Sequence, residues 1–213
     1  MVASTDVRNP LFARLYHHVL RRAEGPSVAR CRKQLVEGLG GTVLEVGAGD
    51  GANFPHYSSA VGEVIAIEPE PYLRARAGEA AAKVPADVRV VGGDGDHLPA
   101  ADGSVDAVVY ALVLCSVPDQ ARALAEVRRV LRPGGELRLL EHVRAEHRVA
   151  RRAQQVADAT FWPRCFGGCH LTRDTLTAVR NAGFDTSRVH RFVLRGEGEP
   201  PMAYILGTAT PAA

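Results

Sequence analysis

Residues 44–54 read LEVGAGDGANF, and the fold hangs on how this stretch is taken. TVLEVG (42–47) is a short run of β-branched and aliphatic residues ending on glycine, the pattern of a buried strand feeding a Gly-rich turn. Gly47, Gly49 and Gly51 alternate after it. Residues without a Cβ let the backbone turn tightly and come close to a ligand. The remaining chain has to say whether a sheet surrounds this turn, and what the turn holds.

Downstream, EVIAIE (63–68) reads as a second strand, followed by a helix through the alanine-rich stretch 70–83. VRVVGGD (88–94) reads as a third strand and SVDAVVYALVL (104–114) as a fourth. Residues 118–131 carry Ala121, Leu124, Val127 and Leu131 at helical spacing. RPGG (132–135) is expected to be a turn and ELRLLEHV (136–143) a fifth strand. Alternation of this kind implies right-handed crossovers and a parallel sheet covered on both faces. The pattern then changes: a basic helix over 147–162, an irregular PRCFGGCHLTRD (163–174), and a helix starting at Thr172 or Asp174. DTSRVHRFVLRG and PPMAYILGTAT close the chain as two strands of a hairpin. Upstream, PLFARLYHHVLRRA (10–23) places Leu11, Leu15, Val19 and Leu20 on one helical face, and a second helix spans about 27–38. The expected fold is α/β and Rossmann-like: a mostly parallel sheet of about seven strands, helices on both faces, and an antiparallel C-terminal hairpin.

The 213 residues suit one domain, able to bury its apolar surface without metal or disulfide staples. A net charge of +2 gives no reason to expect a nucleic-acid partner. HVRAEHRVARR (142–152) is basic, but Glu146 interrupts it and no stacking aromatics are interleaved, so it reads as a solvated helix face. Apolar runs fall short of the roughly 18 residues needed to span a bilayer, and MVASTDVRNP precedes no signal core. Four cysteines do not make a disulfide framework in a chain this size. A reducing cytoplasm is expected; the oligomeric state is not legible.

In such sheets ligands bind outside the carboxyl ends of the strands, at the switch point. VGAGDG, Glu68, GGDGD and LCSV all lie at those ends. Glu68 sits about 20 residues beyond the turn, where a carboxylate accepts from ribose hydroxyls. Gly47-x-Gly49-x-x-Ala52 satisfies the G/A form of the dinucleotide fingerprint, so a nicotinamide-nucleotide-binding domain stays open. Three features argue against it. Glu45 and Asp50 put carboxylates where a pyrophosphate needs neutral or positive surroundings, whereas a cationic sulfonium bearing an ammonium group tolerates them. Asp94 offers an acceptor for an adenine amino group. Few residues remain after the fifth strand for a separate substrate region.

The ordered set LEVGAGDG, AIEPEP, GGDGDHLP, DGSVDAVV and RVLRPGG resembles the class I S-adenosylmethionine-dependent methyltransferases, in the branch that includes quinone-biosynthesis enzymes. Through GANF, VLCSVPDQ, EVRRVLRPGG, EHVRAE and GGCHLTRDT the chain is also similar to the mammalian membrane-associated alkyl thiol S-methyltransferases. The resemblance implies S-adenosylmethionine as cofactor, a methyltransferase domain over 41–213 and a helical cap over 1–40. It implies that Gly47, Ala48, Gly49 and Gly51 pass the methionine part, supported by Glu45 and Asn53. Glu68 and Pro69 would hold the ribose, Asp94 and Gly95 the adenine, and Leu112 would approach the methionine end. The turn departs from the mammalian pattern, reading Gly-Ala-Gly-Asp-Gly where those proteins have Gly-Cys-Gly-Thr-Gly. The long apolar N-terminal anchor of those proteins has no counterpart here, so no transmembrane attachment is expected.

A thiol acceptor needs little beyond deprotonation, since the thiolate is already nucleophilic. An oxygen or carbon acceptor on a quinone-like or phenolic molecule needs a general base or an activated ring. His142 could take a proton near neutral pH, or be satisfied by backbone at the sheet rim. Cys115 is read as a small polarizable wall of the acceptor pocket, as a residue that steers a sulfur substrate, or as an inert buried thiol. Cys169 falls on the same side. Cys165, Cys169 and His170 form C-x3-C-H, which lacks the paired C-x2-C halves of a zinc site, and no metal is expected. Arsenite methylation is a further option, given the affinity of soft thiolates for that element. The N-terminal helix reads as a lid that brings Tyr16 near the substrate, or as a membrane-surface helix flanked by Arg14, Arg21 and Arg22.

Overall fold

The structure, a computed structural model, describes residues 9–21, 25–195 and 201–212. Its centre is a seven-stranded sheet in the order β3-β2-β1-β4-β5-β7-β6. The strands are β1 (Gly41–Val46), β2 (Val61–Ile67), β3 (Val88–Val91), β4 (Val105–Ala111), β5 (Leu131–His142), β6 (Phe184–Leu194) and β7 (Met202–Pro211). β3 to β5 pair in parallel across β2, β1 and β4. β7 lies antiparallel between β5 and β6. The expected mixed sheet with its antiparallel pair is the one observed; the 196–200 connection expected to close the hairpin lies outside the described residues.

The central strands are apolar along their whole length because both faces are covered. Leu44, Val46, Val108 and Tyr110 join one core with Leu124 and Val127 of α4 (Gln120–Val130) and Val179 of α7 (Thr175–Asn181). Val43, Val64, Ala66 and Val109 join the other, with Leu35 and Val36 of α2 (Pro26–Val36) and Ala77 of α3 (Pro71–Ala81). Each fully buried Val or Leu contributes about 1.5–3 kcal/mol. Two more helices, α5 (Arg148–Thr160) and α6 (Trp162–Cys165), follow β5.

The chain leaves β1 towards β2 and β3, then returns across the sheet to β4 and β5. The switch point is therefore the cleft beyond β1 and β4, where ligands of open α/β sheets bind. The Gly-rich turn lies at its edge.

Four sequence expectations are corrected. β4 stops at Ala111 rather than 114, because Leu112 adopts a left-handed φ of 64° and turns the next residues out of the strand. RPGG is a bulge inside β5: Val105 pairs with Leu131 and Ala107 already with Glu136. The stretch expected to be irregular holds the short helix α6. Finally, the N-terminal helix runs as α1 (Pro10–Leu15) into a wider π-type turn at Tyr16–Leu20, and its aliphatic stripe faces outward. Leu11 is 82% and Val19 53% exposed, while Ala13 is fully buried. Phe12 and Tyr16 point inward instead, towards glycines that leave room for a ring. The expected helical residues 22 and 23, the side chain of Leu20 and the first eight residues of the expected cap lie outside the described set.

Candidate active site

Two groups of side chains meet at the switch point, one around the turn after β1 and one around the loop after β4. In the turn, Gly47, Gly49 and Gly51 all have positive φ, a region costly for residues with a Cβ. A Cβ on Gly47 would lie 2.5 Å from Val113 Cγ2, so the turn and the β4 loop touch across the cleft. Glu68, at the end of β2, braces the turn: its Oε2 accepts from Gly49 N–H at 2.8 Å and its Oε1 from Glu70 N–H at 2.9 Å. Burial pushes this carboxyl up to about 7. Pro69 beside it is half-buried, and its carbonyl accepts from Arg74.

Glu45 and Asn53 sit behind the turn rather than on its open side. Glu45 is buried and accepts from Asn53 Nδ2 at 2.9 Å and Tyr57 Oη at 2.7 Å, while Asn53 Oδ1 accepts from Arg32. Burial raises the Glu45 carboxyl, and these donors oppose the shift. The pair therefore stiffens the turn. Asp94 and Gly95 follow β3: Asp94 Oδ1 accepts from Asp96 N–H at 3.0 Å, and a Cβ on Gly95 would lie 3.3 Å from Tyr110 Oη. Ala48 is buried and Leu112 half-buried, with Leu112 N–H donating to Leu140 O.

Asp50 weakens one sequence argument. Its carboxylate is engaged by His17 Nδ1 at 2.9 Å and Arg21 Nε at 3.5 Å, so its charge is largely answered within the chain. The same contacts latch the N-terminal helix onto the turn. Tyr16 lies over Gly49, where a Cβ would be 3.4 Å from its ring, and Phe12 fills the space beside Gly167. The helix thus bridges the cofactor-side turn and the loop bearing Cys169.

On the β4 side, Glu141 is fully buried and accepts from the N–H groups of Val113, Leu114 and Cys115 at 2.8, 2.9 and 3.1 Å. Burial moves its carboxyl up to about 6 against those bonds. This side chain fixes the loop. His170 N–H donates to Cys115 O at 2.9 Å, and Asp158 of α5 accepts from Leu171 and Thr172 N–H. The 163–174 segment is thereby laid over the β4 loop.

These anchors bring together a trio that spacing did not suggest. Among the described residues, ligand-type atoms of Cys115, His142 and Cys169 lie within 4.8 Å of one another. Cys169 Sγ is 3.6 Å from His142 Nδ1, and His142 Nε2 is 3.0 Å from Tyr204 Oη. Cys115 is inaccessible and Cys169 nearly so, with Leu171, Trp162, Phe166 and Met202 packed around them. Hydrogen bonding from Cys115, then the neighbouring His142, holds the Cys169 thiol below its usual range, while the same bond and burial push Cys115 up. Cys165 is exposed and takes no part; His170 contributes backbone only to this wall. Glu141, Asp158 and Tyr204 were missed by motif reading, because each acts through a long-range contact.

Residues 44–139 match a family described as methyltransferase domain. The chain is 43% identical over 152 residues to thiol S-methyltransferase TMT1A of Homo sapiens, covering 67% of this chain and 59% of that protein. It is 39% identical over 153 residues to human thiol S-methyltransferase TMT1B, covering 70% and 62%. The chain spans about three-fifths of the length of these relatives. Among solved structures, the YcgJ protein of Bacillus subtilis superposes with a TM-score of 0.71 at 16% identity, covering 89% of this chain and 100% of that one. At that identity the likeness shows the fold alone. No described helix is long and apolar enough to cross a membrane.

Proposed function

We propose that the chain, whose residues 44–139 match the methyltransferase-domain family, transfers a methyl group from S-adenosylmethionine to the sulfur of a small-molecule thiol. The observation that carries this is the contact between Gly47 and Val113, which sets the Gly-rich turn beside the loop that leads into the buried cluster of Cys115, His142 and Cys169. The likeness to human thiol S-methyltransferases supports the thiol.

The residues fit such a cofactor. Gly47 and Gly49 form a cradle that a Cβ would fill. Glu68 borders it through its bond to Gly49 N–H, a carboxylate where a pyrophosphate would favour donors. In this reading Glu68 uses its remaining lone pairs for the ribose hydroxyls, Asp94 and Gly95 frame the adenine, and Leu112 limits the methionine end. S-adenosylmethionine supplies an electrophilic methyl on a sulfonium. The chain's task is to hold the acceptor sulfur in line with it, and such positioning can lower a barrier by about 7–11 kcal/mol.

In this reading the acceptor approaches the cluster of Cys115, His142 and Cys169, packed among Trp162, Phe166 and Met202. That cluster suits an alkyl thiol better than a phenol, because it combines an apolar wall with polarizable sulfur. Phe12 and Tyr16 act as the lid, excluding water over both halves. All four cysteines are free, which fits a reducing compartment such as the cytoplasm, where thiol acceptors persist.

The test is a product screen with methyl-labelled S-adenosylmethionine against short alkyl thiols and phenols of similar size. Labelled thioethers are expected; labelled aryl ethers or ring-methylated products alone would reject the thiol.

A further inference from the structure

We propose that Cys115, His142 and Cys169 together hold one borderline-soft divalent ion of the zinc type, which receives the acceptor thiol as its fourth ligand. This deepens the thiol-methylation reading and rests on it for the acceptor.

The geometry is that of a three-ligand face. The ligand atoms are mutually within 4.8 Å, and the measured edge from Cys169 Sγ to His142 Nδ1 is 3.6 Å. A tetrahedral zinc with ordinary zinc–sulfur and zinc–nitrogen bonds subtends an edge of about 3.6 Å between such atoms. Two cysteines and one histidine form a donor set found in catalytic zinc sites, whose fourth position takes water or substrate.

The surroundings are those a metal centre requires. His142 presents Nδ1 to the cluster while Nε2 meets Tyr204 Oη at 3.0 Å, an outer partner that fixes ring orientation and tautomer. Both protein sulfurs sit on braced backbone. The loop of Cys115 hangs on Glu141, and that of Cys169 is held through the bonds of Asp158 to Leu171 and Thr172. Neither thiol has a disulfide partner. The indole N–H of Trp162, buried in the same cluster, is a donor towards the Cys169 sulfur.

The chemistry balances without a further reagent. The cysteine protons leave as the ion enters. The acceptor thiol gives its proton to solvent as its sulfur joins the open position. A lone pair of that sulfur then forms the new carbon–sulfur bond while the sulfonium–methyl bond breaks, and the resulting thioether, a weaker ligand than a thiolate, departs. His142 is then a ligand, and no separate base is needed.

The experiment titrates cobalt(II) into the reduced, chelator-treated full chain, and measures S-adenosylhomocysteine binding on the same samples. One cobalt per chain is expected, with a thiolate-to-cobalt absorption band. That band should be lost in Cys115→Ser and Cys169→Ser, kept in Cys165→Ser, and shifted in its visible part by a short alkyl thiol. A wild-type chain without the band, or a band that survives both substitutions, would overturn the inference. Retained S-adenosylhomocysteine binding in that case leaves the methyltransferase reading standing, whereas its loss in the wild-type chain would remove that reading instead.

Discussion

Glu141 Oε2 accepts the backbone N–H of Cys115 at 3.1 Å, from the last turn of the central sheet to the first residues beyond it. With its bonds to Val113 and Leu114, one buried carboxylate positions the whole β4 loop. The β4 loop is therefore set by the end of β5.

Glu141→Ala leaves three backbone donors without their acceptor, two of them buried, and unsatisfied buried groups cost about 1–3 kcal/mol each before relaxation. A stability loss of about 2–5 kcal/mol is expected from urea midpoints, with methyl transfer lost even in the folded fraction. Glu141→Gln keeps one acceptor oxygen and should recover part of the stability. A change below about 0.5 kcal/mol in the alanine variant would show that the loop is held elsewhere.

Glu68 predicts a pH signature. Its folded carboxyl titrates near 7 because it is buried, against about 4.3 when unfolded. Between those values the folded chain holds a proton that the unfolded chain has released, so this group's contribution to stability falls as pH rises from about 4.3 to 7. Ribose hydroxyls donate to the ionised form, so S-adenosylhomocysteine should bind more tightly as pH climbs from about 6 to 8. Calorimetry in buffers of different ionisation enthalpy should record a proton released on binding near pH 7. Glu68→Gln should abolish both effects; an unchanged pH profile would remove Glu68 from the cofactor site.

Two glycines separate strain from obstruction. Gly47→Ala combines a φ of 67° with a Cβ 2.5 Å from Val113, and should lose cofactor binding as well as stability. Gly134→Ala has a φ of 80° but open space around it. It should cost about 1 kcal/mol, the left-handed penalty alone, with S-adenosylhomocysteine affinity intact. Equal binding by both variants would contradict the cradle.

The latch of His17 and Arg21 on Asp50 predicts a kinetic effect. Partly exposed ion pairs of this kind are worth about 0.2–1 kcal/mol. His17→Ala with Arg21→Ala should therefore speed release of S-adenosylhomocysteine by roughly two- to fivefold in stopped flow, because the lid covers the turn. An unchanged release rate would mean that the helix does not gate the site.

The sheet was legible because parallel strands covered on both faces read as apolar runs, as in VLEV and VDAVVYA. The end of β4 was not: ALVLC continues the same apolar pattern, and nothing in a leucine marks the left-handed φ that stops the strand. Which side of α1 turns outward was not legible either. Periodicity finds the aliphatic stripe, but Phe12 and Tyr16 pack against glycines far away in the chain. The turn, Glu68 and Asp94 stood at the right strand ends because strand termini are marked locally by glycine and acid. The sulfur–imidazole cluster was hidden by distance: Cys169 and His142 are 27 residues apart, while the C-x3-C-H reading looked only at neighbours. Glu141 carries no local signal, because its carboxylate acts on backbone beyond the neighbouring strand.

Every function argued above needs the strand ends to hold a sulfonium nucleoside. The most direct measurement is calorimetric titration of the reduced wild-type chain with S-adenosylhomocysteine and, separately, with NAD. The account predicts saturable one-to-one binding of the first and no heat of binding from the second; saturable NAD binding with none of S-adenosylhomocysteine would contradict it.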